Sequence, residues 1–232
     1  LSEDSLSYQL ASTFPILLIL WLTRSFIIQP YRVPSGSLEP TVRIGDFILV
    51  NQFKYGLKLP VGHQTIWPIG QPERGDIALF HWPENPEIIF VKRVVGYPGD
   101  HIRYHHHTLS INGQPVKKTN CTPTTFKDPD LATPIPVNRC LETLPNKHTH
   151  WIYENRNPNI GSEGSWIVPP HHYFMMGDNR DNSNDSRFWG AVPERQFIGQ
   201  ALWVWFSFDR LAWQQHRWLD LIRWHRISLK VR

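Results

Sequence analysis

The chain has 232 residues, 41% hydrophobic and 19% charged, with a formal net charge of +4. That is enough apolar material to bury a core, and the length suits one large or two small domains. The Lys and Arg residues are scattered and unclustered, a solvated surplus that argues against a nucleic-acid partner.

From Phe14 to Ile28 the sequence reads FPILLILWLTRSFII. With Tyr8, Leu10 and Ala11 it approaches about twenty residues, the length a helix needs to cross ~30 Å of hydrocarbon. Arg24 sits near the C-terminal end, where a long side chain reaches the headgroups. A removed signal peptide would have a basic leading region and a small-residue cleavage site, and neither is present. A membrane anchor over residues 1–30 is therefore expected, with a transmembrane helix over about 10–28. Among eleven tryptophans, Trp21, Trp203, Trp205, Trp213, Trp218 and Trp224 fall in this stretch or in the last thirty residues. Indoles favour the membrane–water interface, although several would also fill a β core.

Next comes Pro34-Ser35-Gly36-Ser37-Leu38-Glu39-Pro40-Thr41. Its prolines stiffen the backbone and its glycine admits a second chain closely, so a serine side chain is held in a fixed direction. Beyond it the pattern is β. Phe47–Val50, Asp76–Phe80 and Ile88–Val95 are short apolar or alternating runs bounded by Gly, Pro and Asp. Asn112-Gly113 predicts a type I′ hairpin, which needs positive φ at both positions. Residues 118–165 are polar, proline-rich and weakly periodic, and read as loop-heavy. β pattern returns at Trp166–Val168, Tyr173–Met176 and Ala201–Phe208. The tail 211–232 alternates Trp, Leu and Ile with Arg and His, an amphipathic pattern suited to a short helix on a membrane surface. The expected fold is mainly β: the anchor, an antiparallel β-rich domain over 31–210 with an inserted loop-rich lobe at about 101–165, then the tail.

Cys121 and Cys140 lack the spacing of a structural zinc site. In an oxidising compartment they would close a loop and add about 3 kcal/mol of stability. In a cytosolic protein they would be unrelated free thiols; a disulfide is expected if the chain is exported, and the pair is a hint that residues beyond 30 lie outside the cytoplasm.

A serine nucleophile needs a base. None of the twelve histidines lies in a Ser–His–Asp setting. His105–His107, His148/His150 and His171/His172 sit in polar loops, where metal binding is unspecific. A buried lysine is the alternative, because desolvation disfavours the ammonium. Lys92 lies among Phe90, Val91, Val94 and Val95, and strand alternation puts it on the face of Phe90 and Val94. The run from Gly177 to Arg187, GDNRDNSNDSR, predicts a tightly hydrogen-bonded loop. It lacks the closing Glu of a calcium loop, and its arginines oppose a cation.

PSGSLEPT, RGDIALF at 74–80, FVKRVVGYPGD at 90–100 and GDNRDNSNDSRFWG at 177–190, in this order after an apolar stretch, resemble bacterial type I signal peptidases. The resemblance runs from residue 14 to Phe208. It implies Ser37 as nucleophile and Lys92 as general base. The hydroxyl of Ser35 and the backbone N–H of Ser37 would form the oxyanion hole, and Ser183 would hydrogen-bond the lysine amine. Asp178 with Arg93, and Asp185 with Arg187, would be supporting ion pairs. Leu38 stands where the family usually has Met, a swap of similar volume. Shallow apolar pockets for small substrate residues would be lined by Val33, Leu38, Phe90 and Val91. The implied partners are signal-peptide-bearing preproteins and the lipid bilayer, near the secretion translocon, with no cofactor, metal or nucleic acid. The implied location is the bacterial inner membrane, with the β domain on the periplasmic side. Two other readings stay open: a self-cleaving Ser–Lys peptidase of related fold, and a non-catalytic membrane-anchored β domain that only binds exported segments.

Overall fold

A computed structural model describes residues 6–26, 28–58, 65–157 and 162–231. The chain opens with helix α1 (Leu6–Phe26), which contains Pro15 and exposes Phe14, Ile16, Leu17, Ile19 and Trp21. Among the described residues no helix is long and apolar enough to cross a membrane. Ser12 and Thr13 on one side, and Thr23, Arg24 and Ser25 on the other, confine the continuous apolar run to residues 14–22. Residues 1–5 and Ile27 of the expected anchor, and the side chains of Tyr8, Leu10 and Arg24, lie outside the described part.

Strands β1 (Ile28–Arg32) and β2 (Asp46–Asn51) pair from Ile28 opposite Asn51 to Arg32 opposite Phe47. The loop between them, residues 33–45, carries Ser37. A small hairpin, β3 (Leu57–Lys58) with β4 (Thr65–Trp67), precedes the long hairpin of β5 (Ile77–Trp82) and β6 (Asn85–Gly96). Strands β7 (His101–His105), β8 (Thr108–Ile111) and β9 (Gln114–Pro115) follow as a meander. In its last turn Asn112 and Gly113 have φ of 52° and 77°, the two positive values that a type I′ hairpin requires.

Next come β10 (Lys117–Phe126), β11 (Ile135–Thr143) and β12 (Thr149–Asn155), which form a three-stranded antiparallel sheet. The expectation of a loop-rich lobe is corrected here: the segment is mostly strand. Six of the ten β10 residues are exposed, so no apolar alternation marks the strand, and backbone ladders define it instead. Cys121 and Cys140 are joined by a disulfide between β10 and β11.

The chain returns through β13 (Gly164–Ile167), paired to β7, and β14 (His172–Met176), paired to β6. A short helix α2 (Ser186–Trp189), strand β15 (Val192–Pro193), the long β16 (Phe197–Ser207), helix α3 (Arg210–Gln214) and β17 (Leu229–Lys230) complete it. The main sheet runs β1-β2-β16-β5-β6-β14-β15, with β17 also on β16.

This sheet is buried on both faces around the site. In β5, Ile77 and Leu79 enter one apolar cluster with Leu38 and Val50, while Ala78 and Phe80 enter another with Val94 and Met175. That double burial is why β5 reads in sequence as a continuous apolar run. The tail does not form the single amphipathic helix expected of it. Its polar groups are needed inside: the buried Arg226 donates to Asp46 at 2.6 Å, and Val231 joins the core. Its indoles Trp213, Trp218 and Trp224 stay exposed, as do Trp203 and Trp205 of β16.

Candidate active site

The loop from Val33 to Gly45 folds on itself before it meets the sheet. Glu39 N–H donates to the Gly36 carbonyl at 3.1 Å and Val42 N–H to the Leu38 carbonyl at 3.0 Å. Leu38 and Val42 plug the core and are fully covered, which fixes the residue between Gly36 and Leu38. That residue is Ser37, only 6% exposed. Gly36 is needed for space, since a Cβ there would stand 2.6 Å from the Phe126 ring. Position 36 therefore lets the lobe pack directly on the serine loop.

Lys92 lies on β6 opposite Ala78. Its amine is 2.6 Å from Ser37 Oγ and 5.6 Å from the centre of the Phe90 ring. Burial is the main cause that lowers its pKa to about 8; the charges of Asp185 and Asp178 oppose the shift and that of Arg187 assists it. Lys92 makes no ion pair among the described residues. An amine so placed is substantially neutral near pH 8 and holds a lone pair against a serine hydroxyl. Such a pair can activate the serine for attack on a carbonyl carbon.

The remaining predicted residues gather around this contact. Arg93 grips Asp178 through two bonds of 2.7 Å, and both side chains are fully buried. Burial alone would raise the Asp178 pKa, but the Arg93 guanidinium holds it below the usual carboxylate range. Thr41 of the serine loop also donates to Asp178, at 2.5 Å. Asp185 is gripped by Arg187 at 2.8 and 2.9 Å and accepts the Gly177 N–H at 3.0 Å. Ser35 is exposed, with its hydroxyl 3.4 Å from Ser37 Oγ.

Ser183 is the exception. Among the described residues its buried hydroxyl has no hydrogen-bond partner, so the expected bond to the Lys92 amine is not formed. It lies instead against Gly177, while the amine is directed at Ser37. The expected pocket lining is also divided. Val33 and Leu38 are core residues at 2% and 0% exposure with Val91 packed on them, whereas Phe90 packs into a separate cluster with Trp189. Val33 and Leu38 thus present almost no surface to a ligand.

Sequence reasoning missed several contributors. Asn179 donates its backbone N–H to the Ser37 carbonyl at 3.0 Å and its side-chain amide to the Gly36 carbonyl at 3.1 Å. Gly177 leaves room for that approach: a Cβ on it would stand 2.3 Å from Ser183 Oγ and 2.5 Å from the Ser37 carbonyl oxygen. Behind Asp178, a buried polar layer joins the site to the lobe. Arg180 pairs with Glu142, and the Tyr153 N–H donates to the Asp178 carbonyl at 2.9 Å. His150 Nε2 lies 3.3 Å from Glu142 and 3.8 Å from Asp178. Burial first, and the Arg93 charge second, push the His150 pKa down, so the ring is neutral at pH 7. The density of Asp, Asn and Arg in 177–187 was the available signal, but the partners on β11 and β12 have no local signature.

Residues 6–206 match the sequence profile of the family described as signal peptidase, peptidase S26. The chain belongs to that family. It is 42% identical to signal peptidase I of Pseudomonas aeruginosa over 208 residues, 85% of this chain and 71% of that protein. It is 39% identical to signal peptidase I of Pseudomonas fluorescens, over 94% of this chain and 77% of that one. Signal peptidase I of Buchnera aphidicola is 35% identical, with 94% and 80% covered. A crystal structure of a signal peptidase I from Enterococcus faecalis overlays with a TM-score of 0.38 at 26% identity, covering 57% of this chain and 97% of its own. Membership in a serine peptidase family gives the Ser37–Lys92 contact its chemical context.

Proposed function

We propose that this chain is a membrane-anchored endopeptidase that removes N-terminal signal peptides from exported preproteins. The single observation that carries the reading is the 2.6 Å approach of a buried lysine amine to a buried serine hydroxyl, inside a chain of the signal peptidase family. Ser37 is the nucleophile and Lys92 the general base. As the Lys92 amine takes the hydroxyl proton, the serine oxygen attacks the carbonyl at the end of the signal peptide. The oxyanion is received by the Ser37 backbone N–H and the Ser35 hydroxyl, donors fixed before the reaction begins. Protonated Lys92 then gives its proton to the leaving amine. Water activated by the same lysine hydrolyses the acyl-enzyme.

Asp178–Arg93 and Asp185–Arg187 hold the loop 177–187 against the serine loop, where Ser183 packs beside Gly177. Val33, Leu38, Phe90 and Val91 shape the walls that accept small substrate residues, with Val33 and Leu38 acting from beneath. Exposed Phe14, Ile16, Leu17, Ile19 and Trp21 on α1, and the exposed indoles of β16 and the tail, support contact with a bilayer. The domain over 31–210 then works on the periplasmic side of the inner membrane, close to the secretion translocon, with its disulfide formed. An alkaline carbonate wash of membranes tests the anchor, since an anchored chain stays with the lipid.

The test of the chemistry is preprotein processing by Ser37→Ala and Lys92→Ala proteins. Each should lose activity by at least about 1000-fold. Near-normal turnover in either would remove the dyad, and binding without turnover in the unaltered protein would favour a binding domain instead.

A further inference from the structure

The turn joining β7 to β8 is built from the two residues His106 and His107, with φ of 46° and 57°. The next hairpin, at Asn112-Gly113, also has positive φ at both positions, 52° and 77°, but uses the residues that such a turn favours. Two consecutive histidines in left-handed conformation are a costly way to make this turn, and such outliers mark positions where a side chain is needed. The consequence is visible beside the turn. Along a regular strand successive side chains alternate faces, yet the rings of His105 and His106 lie together, 4.0 Å apart between centres.

A carboxylate completes the cluster. Gly164 of β13 pairs with Tyr104 of β7, so the sheet register places Glu163 beside His105. Glu163 contacts Nδ1 of His105, stands 3.3 Å from Nδ1 of His106, and accepts the His106 backbone N–H at 2.9 Å. The three side chains are exposed, and their candidate ligand atoms lie within 4.8 Å of one another. Ligands at about 2.0–2.1 Å around a tetrahedral ion stand roughly 3.4 Å apart, a difference that exposed side chains close by small rotations.

We infer that His105, His106 and Glu163 form a surface site for a divalent transition metal of the zinc class, with water in the remaining position. Two imidazoles and one carboxylate suit zinc and its neighbours, whereas magnesium and calcium prefer oxygen ligands alone. The site lies at the β7–β8 turn beside β13 and includes neither Ser37 nor Lys92, while the adjoining His107 stands 3.2 Å from Asp181 of the loop 177–187. It narrows the sequence reading, in which metal binding by these histidines is unspecific.

Untagged full-length protein titrated calorimetrically with ZnCl2 tests this. One Zn2+ per chain should bind, MgCl2 should give no heat of binding, and zinc should raise Tm. Glu163→Gln and His106→Asn should each weaken zinc binding by about 100-fold or more and abolish the Tm rise. His106→Asn keeps a residue suited to left-handed backbone, so its metal-free Tm should not fall. A His171→Ala/His172→Ala protein should bind zinc normally. Unchanged affinity in Glu163→Gln, or loss of binding only in the His171/His172 variant, would leave a salt-bridged turn and overturn the site.

Discussion

Lys92 shows most directly how one side chain trades stability for chemistry. Its amine is fully enclosed and titrates at about 8, while in the unfolded chain a lysine titrates near 10.5. Between those values the unfolded chain binds more protons, so stability rises with pH across that window and is lowest below it. At pH 7 the burden is on the order of 3 kcal/mol. Lys92→Met should therefore be inactive yet more stable than the parent by about 2 kcal/mol in urea unfolding at pH 7. Its advantage should shrink at pH 10, and an advantage that does not change with pH would refute the account. Activity carries the opposite face of the same titration. kcat/KM on a signal-peptide substrate should fall about tenfold per unit below pH 8 as the base becomes protonated. At this scale much was legible, since hydrophobic neighbours on a strand expose a lysine such as Lys92 in the sequence. The idle hydroxyl of Ser183 and the coverage of Leu38 were not legible, because the first depends on packing at Gly177 and the second on a core cluster drawn from β2, β5 and β16.

Among the elements, the loop after β14 decides whether the pair stays aligned. Gly177 has no room for a methyl group between Ser183 Oγ and the Ser37 carbonyl. Gly177→Ala should push the serine loop away and lower processing by at least about 100-fold, because such chemistry tolerates little displacement. Adding Ser183→Gly should not restore the rate, since the backbone oxygen of Ser37 remains in the way. Recovery in that double variant would show that the side chain was the only obstacle. Strands buried on both faces, such as β5, announced themselves as apolar runs. Strand β10 did not, because a ladder of backbone hydrogen bonds leaves no mark on side chains that face water, and β11 and β12 bury Glu142, His150 and Glu154 among their apolar residues. The tail misled for a related reason: its alternation of Arg and Trp looked amphipathic, but Arg226 points into the core.

Taken whole, the molecule couples its lobe to its site. The disulfide Cys121–Cys140 ties β10 to β11, β11 pairs with β12, and β12 reaches the loop of Asp178 through the Tyr153 N–H. A cross-link over a sequence separation of 19 is worth about 3 kcal/mol, within wide limits. A Cys121→Ser/Cys140→Ser protein should show a lower Tm together with a lower processing rate, measured side by side. A fall in Tm with full activity at temperatures below unfolding would mean that the lobe is an independent appendage.

The salt bridge between Arg226 and Asp46 has a bearing on the protein's own synthesis. Asp46 closes the serine loop by accepting the Arg43 N–H, and Arg226 bonds both Asp46 and the Thr41 carbonyl of that loop. Ser37 waits for Lys92, both wait for the loop of Asp178, and the serine loop gains its last clamp only when residue 226 has been made. A chain cut before residue 226 therefore lacks the Arg226 bonds to Asp46 and to the Thr41 carbonyl, and holds its serine loop less firmly.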